Sequence, residues 1–157
     1  MKLEEKIVEE LKKRNYTMTT AESCTGGLLA GRILNVSGAS AVYNEGHITY
    51  SNEAKERILG VSQETLETYG AVSPQTAKEM ALGAAWAANA QVGLATTGIA
   101  GPTGGTKEKP VGLVYVACSV WGQVEVKECR FQGTREENRN RAVEEALQLL
   151  DKILSNS

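Results

Sequence analysis

A chain of 157 residues, 41% hydrophobic and 23% charged, has the size and composition of one domain with its own core, so residues 1–157 are read as a single domain. Its 17 basic and 19 acidic residues are interspersed and leave a formal net charge of −2, which gives no electrostatic footprint for nucleic acid. No apolar run approaches the roughly 20 residues of a membrane span, the acidic start "MKLEEKIVEELKKR" has no apolar leader segment, the three cysteines form no CxxC pair, and the single histidine excludes a His-based metal cluster.

In chain order, Leu3, Ile7, Val8 and Leu11 recur at helical spacing and predict an amphipathic helix over residues 3–14. The β-branched stretch "YTMTTAE" predicts a strand ending near Glu22, and "TGGLLAGRILNV" a helix that starts at the glycines and closes at "SGAS". "AVYNEGHITY" reads as a strand up to Tyr50. "SNEAKERILG" reads as a short helix begun by Ser51 or Asn52 and ended by Gly60. A helical turn or two follows Ser62, and Ser73-Pro74 opens a long Ala-rich helix with Pro at its tolerated first position. "VGLATTG" and "VGLVYVACSV" are apolar runs of buried strands, and "VEVKECRF" alternates as a half-exposed strand does. Thr134 with Glu137 forms a capping box for a last helix striped by Ala142, Val143, Ala146, Leu147, Leu150 and Ile153. This order predicts an α/β fold: a three-layer α/β/α domain on a mixed, mostly parallel sheet, the last strands being too close in sequence for helical crossovers.

Three segments could carry chemistry. "TTAESCTGG" places Ser23, Cys24 and Thr25 between a strand end and a Gly-started helix, where free backbone N–H groups favour an anion or a developing oxyanion. The same residues would equally serve as a helix cap with glycines for close packing. In "YSNEAKERILG", Lys55 lies three and four residues before Ile58 and Leu59, at the edge of the face they bury. A lysine desolvated there loses pKa and can act as a general base, whereas a snorkelling lysine does nothing of the kind. The Gly- and Pro-rich loop from Thr96 to Gly112 can turn backbone amides toward a ligand, though it matches neither a Walker A nor a dinucleotide-binding pattern. Lys107, Lys109, Arg135, Arg139 and Arg141 are candidate phosphate partners. One histidine, His47, leaves a Ser-His-Asp triad dependent on that residue alone.

"TTAESCTGG", "YSNEAK", "GAVS" and "GIAGPTGG…EKPVG", in this order and spacing, resemble the CinA C-terminal domain family of nicotinamide-mononucleotide deamidases, over about residues 3–154. The resemblance implies a three-layer α/β/α fold, a standalone form of the domain, and association as a homodimer or higher homo-oligomer. It also implies an amidohydrolase that converts nicotinamide mononucleotide to nicotinate mononucleotide and ammonia, feeding NAD synthesis, with a Ser/Lys dyad, no metal and no cofactor; a cytoplasmic location is expected from the absence of an apolar span or leader. Carried onto this chain, the nucleophile is Ser23, the base Lys55, and Tyr50 an orienting group. Substrate contacts are expected from Glu22, Cys24, Thr25, Gly26, Gly27, Thr97, Gly98, Ala100, Gly101 and Arg139. The residues alone leave Ser51, Ser73 and the Cys24 thiol as alternative nucleophiles, and leave open a noncatalytic nucleotide-binding module.

Overall fold

The computed structural model describes all 157 residues. Its helices are α1 (Leu3–Arg14), α2 (Leu28–Leu34), α3 (Asn52–Leu59), α4 (Gln63–Tyr69), α5 (Pro74–Ala88) and α6 (Arg135–Ser155). Its strands are β1 (Met18–Glu22), β2 (His47–Ile48), β3 (Val92–Gly98), β4 (Leu113–Val120) and β5 (Gln123–Arg130). They form one sheet of order β2-β1-β3-β4-β5. β1 is parallel to both neighbours, while β4 is antiparallel to β3 and to β5. Four strands therefore point one way and β4 alone runs counter.

The two faces of the sheet are built differently. Val92, Leu94, Val114, Val116 and Cys118 face α1, α2 and α6 and form the larger core with Ile7, Leu11, Leu29, Leu147 and Leu150. The alternate positions are small: Ala21, Ala95 and Ala117 face α5, whose own inward residues are Ala77, Met80, Ala81 and Ala84. A Cβ added at Gly93 would stand 2.3 Å from the Ala81 carbonyl oxygen, so the strand position must be glycine for α5 to lie this close. The period of two along each strand thus sorts large side chains to one layer and small ones to the other.

β2 is much shorter than the strand expected from "AVYNEGHITY". Residues 39–41 form a 3₁₀ turn, and pairing survives only at a Met18–Tyr43 bridge and at His47–Ile48. The chain between folds over the edge of β1 instead: the Tyr43 hydroxyl hydrogen-bonds Thr20 Oγ1 at 2.8 Å, and Thr19 Oγ1 donates to the Glu45 carbonyl at 2.8 Å. Gly46 makes the bend possible, because a Cβ there would overlap the Tyr43 hydroxyl. The helical turn or two expected after Ser62 is present as the seven-residue α4.

Candidate active site

Two successive crossovers run in opposite directions across the edge of the sheet that holds β1. The first runs from β1 through α2 to the edge strand β2, and the second returns from β2 through α3, α4 and α5, past β1, to β3. Right-handed connections place those helices on opposite faces, so a crevice opens at the carboxyl end of β1 where the strand order reverses. Ser23 is the first residue past that end. Its N–H continues the ladder by donating to the Thr96 carbonyl at 3.0 Å.

Lys55 reaches the same point from α3. Ser51 caps the helix by accepting from Ala54 N–H at 3.0 Å, and Gly60 ends it in a left-handed conformation at φ 70°. α3 lies hard against α5, since a Cβ at Gly83 would overlap the Leu59 carbonyl. The Lys55 Nζ thereby sits 3.0 Å from Ser23 Oγ, 2.8 Å from the Thr49 carbonyl and 3.4 Å from the Tyr50 carbonyl. Lys55 is 1% exposed and Ser23 8%.

This geometry decides the protonation chemistry. Burial lowers the Lys55 pKa to about 8 against a slight opposite pull from Cys24, and no carboxylate shares a salt bridge with it. In the neutral amine, two N–H bonds can remain with the Thr49 and Tyr50 carbonyls, which accept only. The lone pair is then left for the Ser23 hydroxyl proton. Cys24, 5% exposed, belongs to the larger core, and burial pushes its thiol up to about 11. It is a packed apolar residue with a disfavoured thiolate. Ser51 and Ser73 are the N-caps of α3 and α5. Of the four candidate nucleophiles, only Ser23 meets the amine.

The remaining expectations at "TTAESCTGG" are corrected. Neither Ser23 nor Thr25 caps α2, and no external anion has its first amides to itself. The buried Glu22 carboxylate folds back onto that helix start, Oε1 accepting from Gly27 N–H (3.1 Å) and Leu29 N–H (2.9 Å), and Oε2 from Ala30 N–H (3.1 Å). Thr25 is fully buried, donating to Glu22 Oε1 at 2.6 Å and sharing a 2.8 Å hydrogen bond with Thr96 Oγ1, so its hydroxyl is built into this network and not offered to a phosphate. Gly26 and Gly27 adopt φ 57° and 105°, and the room beside them holds the protein's own groups: Arg139 Nη2 would lie 3.0 Å from a Cβ at Gly26, and Ile48 Cδ1 3.3 Å from one at Gly27.

Tyr50 is 63% exposed; it meets Lys55 through its carbonyl, and its hydroxyl accepts from Arg135 at 3.2 Å. Arg135 also donates to the Gly101 carbonyl at 2.9 Å, bridging Tyr50 to the start of the glycine loop. Buried Asn138 donates to the Ala100 carbonyl at 3.0 Å and holds the same loop. Thr97 Oγ1 donates to the Ala71 carbonyl at 2.8 Å, tying β3 to the segment before α5. At Gly98 a Cβ would strike Val114, so that glycine serves strand packing. Lys109 donates to the Tyr69 carbonyl, while the Arg139 guanidinium is turned onto the carbonyls of Cys24 and Thr25. A surface groove of about 650 Å³ between β5 and α6 is lined by Glu125, Lys127, Gln148 and Lys152 and contains no residue of the Ser23–Lys55 pair. Sequence reasoning missed the Thr49 carbonyl and Asn138. A backbone acceptor leaves no residue-type signal, whereas the signal for Asn138 is an Asn, a poor helix former, inside a helix four residues past its Thr cap.

The chain is similar to known proteins over nearly its whole length. Residues 1–154 match the model of the CinA C-terminal domain. A CinA-like protein of Kosmotoga olearia is 55% identical over 152 residues, covering 97% of this chain but 37% of the relative, so the chain spans little more than a third of the curated relatives it matches. The crystal structure of the competence/damage inducible protein CihA from Agrobacterium tumefaciens superposes with a TM-score of 0.94 at 46% identity, covering 98% of this chain and 93% of that one. A CinA superfamily protein from Klebsiella pneumoniae 700603 superposes with a TM-score of 0.95 at 37% identity, covering 99% and 97%. The chain belongs to the CinA C-terminal domain family.

Proposed function

We propose that the domain is a serine amidohydrolase that cleaves the carboxamide of nicotinamide mononucleotide, releasing ammonia and nicotinate mononucleotide. The observation that carries this reading is the buried contact of 3.0 Å between Ser23 Oγ and a lysine amine whose pKa is lowered to about 8. A serine without a histidine needs another base, and a desolvated lysine without a carboxylate partner is one. The substrate is suggested by the motif resemblance together with the chemistry of the ring: a pyridinium withdraws electrons from its carboxamide and makes the carbonyl carbon more electrophilic.

In the proposed cycle, neutral Lys55 takes the Ser23 proton as Oγ bonds to the carboxamide carbon, giving a tetrahedral oxyanion. Within the turn after β1, the N–H groups of Ser23, Gly26, Gly27 and Leu28 are all paired, while those of Cys24 and Thr25 have no acceptor in the chain. We assign these two amides to the oxyanion; the amide following a nucleophile is the usual first donor. The Lys55 ammonium then gives its proton to the departing nitrogen, and ammonia leaves an acyl-Ser23 ester. Water, deprotonated by neutral Lys55, attacks the ester, and Ser23 regains its proton.

The test is to incubate the purified protein with nicotinamide mononucleotide and measure ammonia and nicotinate mononucleotide together. Equal release of both is expected. Absence of turnover between about pH 6 and 9.5, with nicotinamide, nicotinamide riboside and NAD also inert, would overturn the reading.

A further inference from the structure

We propose that Arg139 is a positioning residue, one that aims the oxyanion-binding amides by gripping the backbone and does not touch substrate; this rests on the amidohydrolase reading above. Its Nε donates to the Cys24 carbonyl at 2.8 Å and its Nη2 to the Thr25 carbonyl at 3.2 Å. The Thr25 carbonyl has a second partner, Leu28 N–H at 3.0 Å, whereas the Cys24 carbonyl has only Arg139. The peptide unit joining Cys24 to Thr25 is thus held at its oxygen by one side chain and carries at its other edge an N–H with no acceptor.

In a trans peptide the C=O and N–H point in opposite directions. Fixing the Cys24 oxygen toward α6 therefore fixes the Thr25 N–H away from α6. Without the guanidinium nothing in the chain bonds to that oxygen, and the peptide plane is free to turn and take its amide with it. Gly26 supplies the independent sign that the turn is shaped around this contact. A Cβ there would stand 3.0 Å from Arg139 Nη2, and φ 57° suits glycine. The rigid fork of a guanidinium can hold two neighbouring oxygens at once, which an ammonium cannot do in a fixed plane.

A phosphate-binding arginine makes different predictions, and the experiment separates the two. Arg139→Gln and Arg139→Lys are assayed beside the parent protein on nicotinamide mononucleotide and on nicotinamide riboside, which lacks the phosphate, with thermal unfolding as a check of folding. For a positioning residue, kcat falls about ten- to a hundredfold in both variants, a share of the 10²–10³ that loss of a whole oxyanion donor costs. KM should stay within about threefold, the same fractional loss should appear wherever the riboside is turned over, and the pH midpoint set by Lys55 should not move. A rise in KM with kcat intact, or an Arg139→Lys enzyme that works like the parent, overturns the proposal in favour of a phosphate contact. If Arg139→Gln does not fold, the kcat-against-KM split of Arg139→Lys decides alone. A parent protein without turnover defeats the amidohydrolase reading itself, a result distinct from an active parent with unaffected variants.

Discussion

If Lys55 must be neutral to accept the Ser23 proton, activity follows its deprotonation. Below the pKa, kcat/KM should rise tenfold per pH unit, reach half its maximum near pH 8 and level off above it. The structure sets the size of the advantage: at about pH 7.5 roughly a quarter of an amine with this pKa is neutral, against about 0.1% for a free lysine near 10.4, a gain of about 200-fold. Substrate sharpens the expectation. A cationic pyridinium brought beside Lys55 disfavours the ammonium further, so the midpoint of kcat, which reports the complex, should lie below that of kcat/KM, which reports the free enzyme. The assay is initial-rate ammonia release from nicotinamide mononucleotide between about pH 6 and 10 at constant ionic strength. A midpoint near 10, or a kcat midpoint above that of kcat/KM, would refute the base assignment.

Other outcomes follow from the same geometry. Ser23→Ala should remove turnover to background while Cys24→Ala keeps activity within about tenfold; the reverse pattern, with inactivation by a thiol alkylator, would transfer the nucleophile to the sulfur. Glu22→Gln turns an amide nitrogen onto N–H groups that now meet carboxylate oxygens, and should destabilise the fold by about 2–3 kcal/mol in urea unfolding. Because the folded pKa of Lys55 is depressed, the unfolded chain binds more protons between about pH 8 and 10.4, so stability due to this group rises with pH through that window. Relative to Lys55→Met, the parent protein should gain about 2–3 kcal/mol between pH 7 and 10, and a flat difference would show that the amine is not desolvated.

The elements were legible where hydrophobic period and capping agreed, as in the Thr134–Glu137 box of α6 and the Ser73-Pro74 start of α5. β2 was misread because Tyr43 and Thr49 look like strand residues, whereas a glycine bend and a hydroxyl contact with Thr20 decide the path. At the site, the order of motifs and a lysine at the edge of a buried helix face pointed to Ser23 and Lys55, whose side chains lie 3.0 Å apart. The partners of Glu22, Thr25 and Arg139 were not legible, since each bonds to backbone atoms or to a side chain brought in by tertiary structure. The same limit applied to Tyr50, whose carbonyl, not its phenol, faces the amine.

On the proposed reading, the separate placing of two buried groups at the end of β1, Glu22 and Lys55, explains how the lysine could serve as a base. Were Glu22 and Lys55 paired with each other, the carboxylate would favour the ammonium and raise its pKa, and Ser23 would face an acid where the proposed mechanism needs a base. The fold gives each a separate set of neutral partners instead. Glu22 is satisfied by the opening amides of α2, and Lys55 by two carbonyls and one hydroxyl. The glycines of the turn belong to this separation, for they let the chain double back so that a carboxylate one residue before the proposed nucleophile is directed into a helix and away from the amine. A base of this kind therefore depends on where the nearest acid is sent as much as on the burial of the lysine.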